Sequence, residues 1–359
     1  MKPSNTTPGS TLQSNKKPLL QVKDLSVKFR TEEGMFFAVE HISFDLEEQK
    51  TLAIVGESGS GKSVTSLAIM QLLAENGKIT SGEIFIDDED ILKLNQRQVQ
   101  HSILGKKISM IFQEPMTALN PILKVGEQIM ETIIEHQGAS RKEAYAIALD
   151  TLKQVGIPSP EQRIRQYPHE LSGGMRQRVM IAMGLVTKPK IMIADEPTTA
   201  LDVTIEAQIL NLLENLKETY KTAILFVTHD LNVVADIADD VIVMYCGEII
   251  EKGPVADIFE TPRHPYTIGL LATMPSLDND NDILPTIRGV VPNITKRPTG
   301  CYFHPRCDHA MPQCAQRSPA VFQVGQQAVK CFLYEQGALG VQDRPGVQAG
   351  PEASEVNHG

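Results

Sequence analysis

At 359 residues the chain is too long for one compact core and calls for two domains. Its 42% hydrophobic and 22% charged residues are those of a soluble globular protein, and no apolar run approaches the roughly 18 residues that span a bilayer. The formal charge of −10 argues against a surface that wraps nucleic acid, and the polar N-terminus lacks the apolar core of a secretory signal, so export is not expected.

Residues 1–18 read as a disordered tail. From Leu19 to Asp45, "LLQVKDLSVKF" and "FFAVEHISFDL" alternate apolar and polar positions around a turn-like "RTEEG", the period of antiparallel strands. "TLAIVG" is then a short buried strand, and "KSVTSLAIMQLL" is a helix. Between them lies "GESGSGKS", which fits G-x-x-x-x-G-K-[ST]. Its glycines let backbone N–H groups point at phosphates, where the helix also begins with its positive dipole end. Gly56, Glu57, Ser58, Gly59, Ser60, Gly61, Lys62, Ser63 and the adjoining Val64 are therefore nucleotide-binding candidates, with Lys62 on the β- and γ-phosphates and Ser63 on Mg²⁺. A plain glycine turn between strand and helix is the competing reading of this stretch taken alone.

From about Glu114 to Met175 helical signals replace strand signals, and Ala144, Ala148, Leu152 and Val155 fall on one helical face. This reads as a helical subdomain inserted into an α/β core. The stretch "ELSGGMRQR", residues 170–178, is a loop breaking into a helix, with a serine able to cap it.

"KIMIADEP" and "TAILFVTHD" are two further apolar strands, separated by a helix over "VTIEAQILNLLENLKET". Asp195 and Glu196 end the first of them at the sheet edge where α/β proteins bind ligands. Asp195 is placed to hold Mg²⁺, and Glu196 to polarise an attacking water as general base. Gln113 in "MIFQEP" and His229 in "FVTHD" follow apolar strands in the same way, so one edge presents both to a γ-phosphate, Gln113 also as an Mg²⁺ ligand.

The core is expected to finish near residue 260. Beyond Thr261, proline and glycine become frequent and four cysteines follow, which marks residues 261–335 as a separate small appendage; residues 336–359 lack periodicity and read as disordered. Cys301, Cys307, Cys314 and Cys331 are separated by five, six and sixteen residues. A small fold short of apolar runs needs a staple, and a reducing compartment disfavours disulfides. Zinc suits four thiolates but its structural sites typically include a C-x₂₋₄-C pair, absent here; a [4Fe–4S] cluster also suits them. Cys246, on an apolar strand, reads as a small buried hydrophobe.

The order of these pieces resembles the nucleotide-binding subunits of ATP-binding cassette (ABC) transporters. The resemblance implies a P-loop ABC ATPase core with an antiparallel β subdomain, the inserted helical subdomain and the Cys-rich C-terminal appendage, with the ATPase domain over residues 19–260. In that family "LSGGM" is the signature motif: Ser172, Gly173 and Gly174 would bind the ATP held by a facing subunit, so that two chains close head to tail around two nucleotides. Asp202 would lie at the dimer seam. Phe29 would stack on adenine, with Phe36 and Phe37 as rivals for that place.

"FQEPMTALNP" at 112–121, "RHPYTIGLL" at 263–271 and "CYFHPRCDHAMPQC" at 301–314 narrow the resemblance to the oligopeptide and dipeptide importers. It implies an ATPase that powers peptide import, peripheral on the cytoplasmic face of a bacterial inner membrane. Its partners would be a second ABC ATPase subunit, identical or a paralogue, two transmembrane permease subunits and, through them, an extracytoplasmic binding protein. The surface after Gln113 would receive the permease, and the cysteine run looks like a [4Fe–4S] ligand set, with zinc as runner-up. Nickel, antimicrobial peptides or another small solute remain alternative cargoes, and a soluble nucleic-acid-associated ABC ATPase is the more distant alternative; no nucleic-acid partner is expected.

Overall fold

The computed structural model describes residues 17–32, 34–199, 201–274 and 286–335. The two expected tails lie outside the described residues, apart from positions 17 and 18.

The alternating N-terminal segments form the expected antiparallel pair, β1 (Leu20–Thr31) and β2 (Gly34–Leu46). β1 also pairs antiparallel with β4 (Gly77–Ile86), which pairs with β5 (Glu89–Asp90), completing a four-stranded sheet. Its inner face carries Leu20, Val22, Leu25, Val27 and, across the ladder, Ile42, Ile84 and Ile86 into one core.

The larger sheet has eight strands. Five are parallel neighbours in the order β6 (Ile108–Ile111), β7 (Ile191–Asp195), β8 (Ala223–Val227), β3 (Thr51–Val55) and β9 (Asp240–Tyr245). Every residue of β3, β7 and β8 is buried, because the sheet is covered on both faces, by the helix over Lys62–Ile69 and the four-stranded sheet on one and by helices on the other, and that is why these strands read as unbroken apolar runs. β10 (Glu248–Pro254), β12 (Gln327–Val329) and β11 (Phe322–Val324) extend the sheet antiparallel beyond β9. The segment that sequence reading sets apart as an appendage thus continues the core sheet, through the pairs Glu251↔Val329 and Lys252↔Ala328. Cys246 is buried as expected but sits with Gly247 in the two-residue turn joining β9 to β10, both at positive φ, the backbone that a tight hairpin turn requires.

Helix α1 (Lys62–Ile69) leaves the C-terminal end of β3. The short α2 (Gln96–Gln98) precedes β6. Between β6 and β7 lie α3 (Pro115–Ala118), α4 (Val125–Gln137), α5 (Arg141–Gln154), α6 (Pro160–Arg163) and α7 (Gly173–Leu185). α5 starts at a capping box between Ser140 and Glu143, and the predicted face of Ala144, Ala148, Leu152 and Val155 is fully buried against its neighbours. α8 (Val203–Tyr220) joins β7 to β8, α9 (Leu231–Ile237) follows β8, and α10 (Val255–Glu260) and α11 (Pro265–Ala272) follow β10. No described helix is long and apolar enough to cross a membrane.

Candidate functional site

The loop between β3 and α1 is pressed from two sides by backbone. A Cβ on Gly56, at φ +149°, would drive into the carbonyl oxygen of Met244, and one on Gly61, at φ +104°, would come within 2.7 Å of the Ala38 carbonyl oxygen. Glycine is therefore required at both positions. Lys62, at the start of α1, is buried and folds back across the loop, its Nζ donating to the carbonyls of Gly56 at 2.8 Å and Glu57 at 3.2 Å. Burial pushes the Lys62 ammonium below its ordinary pKa, opposed by Glu196, Asp195 and Glu57.

Asp195, the last residue of β7, accepts a 3.1 Å bond from Ser63 Oγ. Burial raises its pKa; Glu196 adds to the rise, while the Ser63 bond and Lys62 oppose it. Glu196 follows at φ +46°, a left-handed conformation that a non-glycine residue holds only when its surroundings enforce it. Three groups do so. Gln113 Nε2 donates to Glu196 Oε2 at 2.9 Å, Thr199 Oγ1 donates to the same oxygen at 3.0 Å, and His229 Nδ1 lies 3.4 Å from Oε1. Three adjacent strand ends, β6, β7 and β8, thus bring Gln113, Glu196 and His229 together, as their places after apolar strands predict.

A cavity of about 610 Å³ opens before this cluster. Residues 58–64, Gln113 and Glu196 line it, with Phe29 and Phe36. The Phe29 and Phe36 rings are stacked 6.1 Å apart at 19° and both line the cavity; Phe37 instead lies under Lys28 Nζ, at 4.1 Å from its ring centre. Gly56, Glu57 and Asp195 support the cavity without lining it. The Glu57 carboxylate is taken by Arg306, at 2.7 and 3.1 Å, and its N–H donates to Tyr266 Oη at 2.9 Å.

Ser172, Gly173, Gly174 and Asp202 do not line this cavity. Ser172 caps α7 by accepting from the Met175 N–H at 3.3 Å, and Asp202 caps α8 by accepting from the Ile205 N–H at 3.0 Å; both are exposed. Beyond its own helix turn, a Cβ on Gly173 would meet nothing within 4 Å.

Sequence reading missed Thr199, which carries a signal in its i+3 spacing from Glu196. It also missed Val291, Pro292 and Ile294, which close the cavity, and Arg306. Those residues lie more than two hundred positions from the loop and leave no periodic or motif signal near it.

Cys301, Cys307, Cys314 and Cys331 are all unpaired thiols and line one small pocket, with the Cys301 N–H donating to the Cys314 carbonyl at 2.8 Å. Burial raises the thiols of Cys301 to about 11 and Cys331 to about 12, and raises that of Cys307 as well. Among the described residues no group of three or more His, Cys, Asp or Glu side chains is arranged to hold a metal ion. The four thiols thus share one pocket without forming a ligand set there.

Two family models match the chain: ABC transporter over residues 39–199, and oligopeptide/dipeptide transporter, C-terminal region, over residues 250–314. The oligopeptide transport ATP-binding protein OppD of Bacillus subtilis is 49% identical over 334 residues, 92% of this chain and 93% of that one. The dipeptide transport ATP-binding protein DppD of Haemophilus influenzae is 48% identical, over 89% of this chain and 97% of that one. Among solved structures, a dimeric ATP-binding cassette, MJ0796, in a post-hydrolysis state bound to ADP and Pi is 30% identical and superposes with a TM-score of 0.59, covering 66% of this chain and 98% of that one.

Proposed function

The chain belongs to the ATP-binding subunits of the oligopeptide and dipeptide ABC importers, and on that premise we propose how its cavity turns ATP hydrolysis into peptide import. It is an ABC-type ATPase coupled to peptide transport. The observation that carries the mechanism is the convergence of Gln113, Glu196 and His229 beside the Lys62 loop.

ATP places its phosphates in the loop, where N–H groups and Lys62 balance their charge. Gln113 and Glu196 orient a water in line with the γ-phosphorus, and the Glu196 carboxylate accepts its proton as the new P–O bond forms and the bond to the β-phosphate oxygen breaks. His229 positions Glu196. Ser63 and Asp195, with Gln113, would hold Mg²⁺; a hydroxyl and a carboxylate suit that hard cation, which typically keeps several waters. When bound, it neutralises charge on the β- and γ-phosphate oxygens.

Ser172, Gly173 and Gly174 serve the nucleotide of a facing subunit, with Asp202 at the seam. The exposure of Ser172, Gly173 and Asp202, and the absence of all four residues from this chain's own cavity, support that division of labour. The facing subunit is a second ATPase chain. The permease docks after Gln113, where Met116 and Ile122 are 58% and 78% exposed, placing the chain peripherally on the cytoplasmic membrane face. Residues 19–260 form the ATPase domain, and residues 261–335 the region peculiar to peptide importers.

Cys301, Cys307, Cys314 and Cys331 would hold a [4Fe–4S] cluster. The cluster would tie four chain positions together and has no part in hydrolysis. Protein purified without oxygen should carry roughly four irons per chain; stoichiometric zinc without iron would overturn the assignment in favour of zinc.

Glu196→Gln in the assembled importer tests the mechanism. It should retain ATP binding while turnover falls by about 10²- to 10⁴-fold, and a wild-type rate would remove Glu196 from the role of base.

A further inference from the structure

The cavity has two chemistries. Lys62, Ser63, Gln113 and Glu196 give it a charged and polar lining suited to phosphates, whereas Phe29, Phe36 and Ala38 give it an apolar one. A purine has two flat faces, and an aromatic ring covers one of them well. The remaining apolar lining comes from a distant part of the chain, Val291, Pro292 and Ile294.

This segment is held in place from both sides. After it, Arg297 Nη1 bonds Glu40 Oε2 at 2.6 Å, Arg297 Nη2 donates to the Phe37 carbonyl, and Tyr302 Oη donates to Glu40 Oε2 at 2.9 Å. These contacts fasten it to β2 beside Phe36. Before it, the Arg288 carbonyl accepts from Arg306 Nε at 3.0 Å, while the same guanidinium grips Glu57 in the phosphate loop. The Arg297 and Arg306 side chains are only 10% and 4% exposed, so their ion pairs are shielded from water and fix geometry where surface pairs would not. Val291 packs into the core beneath the segment, but Pro292 and Ile294 join none of the core clusters. Ile294 is partly buried without a core role, and its apolar surface is offered to the cavity.

We propose that Val291, Pro292 and Ile294 form the second wall of the adenosine end of the ATP site, opposite Phe29 and Phe36, with Arg297 and Arg306 as positioning residues. The inference rests on the ATPase reading of the cavity and adds to it a base-binding surface from outside the ATPase core. The peptide-importer region would thereby set nucleotide affinity directly.

Ile294→Ala and Ile294→Leu in the full chain test this by calorimetric titration with ATP and, separately, with inorganic triphosphate. Ile294→Ala should weaken ATP by about fivefold to twentyfold, through lost apolar contact, and leave triphosphate unchanged; Ile294→Leu should keep ATP affinity within about twofold. Unchanged ATP affinity in Ile294→Ala would overturn the proposal, as would an equal loss for triphosphate, which would mean the segment acts on the phosphate loop or the fold. A wild-type chain that binds neither compound would overturn the ATPase reading on which the wall rests.

Discussion

The loop at Gly56–Ser63 and the segment at Leu171–Met175 both set glycines and serines at a helix N-terminus, yet the chain treats them in opposite ways. The first is held at both ends: Met244 and Ala38 press on Gly56 and Gly61, Lys62 spans it, Asp195 holds Ser63, and Arg306 and Tyr266 anchor Glu57 from outside, leaving Gly59 exposed at the tip. The second is open at its start, with Ser172 and Gly173 exposed and no other part of the chain within 4 Å of where a Gly173 Cβ would stand, while Gly174 behind them packs on Ile205. A glycine that packing requires explains itself within the chain. Gly173 is not of that kind, and the requirement proposed for it is the nucleotide of the facing subunit.

The sharpest way to break this contrast is to add one methyl group at each place. Gly56→Ala combines a left-handed φ with a backbone collision and should cost about 3–5 kcal/mol in urea unfolding, enough to remove much of the soluble protein. Gly173→Ala should leave unfolding within about 1 kcal/mol of wild type, since a helical position tolerates alanine, while ATP turnover in the assembled importer falls about tenfold or more. Equal stability losses at the two positions, or full turnover in Gly173→Ala, would erase the distinction.

Acid acts on the first loop's surroundings. His264, the cap of α11 two residues before Tyr266, is completely buried, and burial lowers its pKa to about 3. The unfolded chain takes up a proton there below about pH 6.5 and the native chain does not. The stabilisation is therefore complete above about pH 6.5 and declines as pH falls toward 3, by about 1.4 kcal/mol per unit. Urea unfolding at pH 7.5 and 5.5 should show a smaller loss on acidification for His264→Asn, which retains a capping side chain, than for wild type. Identical losses would show that His264 stays neutral in both states or is protonated in both.

Much of the enclosed site was legible in the sequence, because its constraints are local. Glycine spacing marks the loop, unbroken apolar runs mark β3, β7 and β8, and Gln113, Glu196 and His229 each announce themselves by following such a strand. What was not legible depends on contacts between remote segments. Nothing near Glu57 foretells Arg306, nothing near Phe36 foretells Ile294, and the run of prolines and glycines after Thr261 conceals two short strands that join the core sheet. Cys246 shows a finer limit: its apolar neighbours suggest a strand, while Gly247 places both residues in the turn.

In the proposed dimer each ATP takes its loop from one chain and its signature segment from the other, and Lys62→Ala and Ser172→Arg, placed in dimers of two differently tagged copies, put that arrangement to the test. The ATP held per dimer is then counted for two arrangements. With one substitution in each chain, both defects fall in a single composite site, so one ATP should remain bound. With both in the same chain, each defect strikes a different site and none should remain. The reverse pattern, one ATP with both substitutions in one chain and none when they are divided, would contradict the account and show that each chain completes its own site.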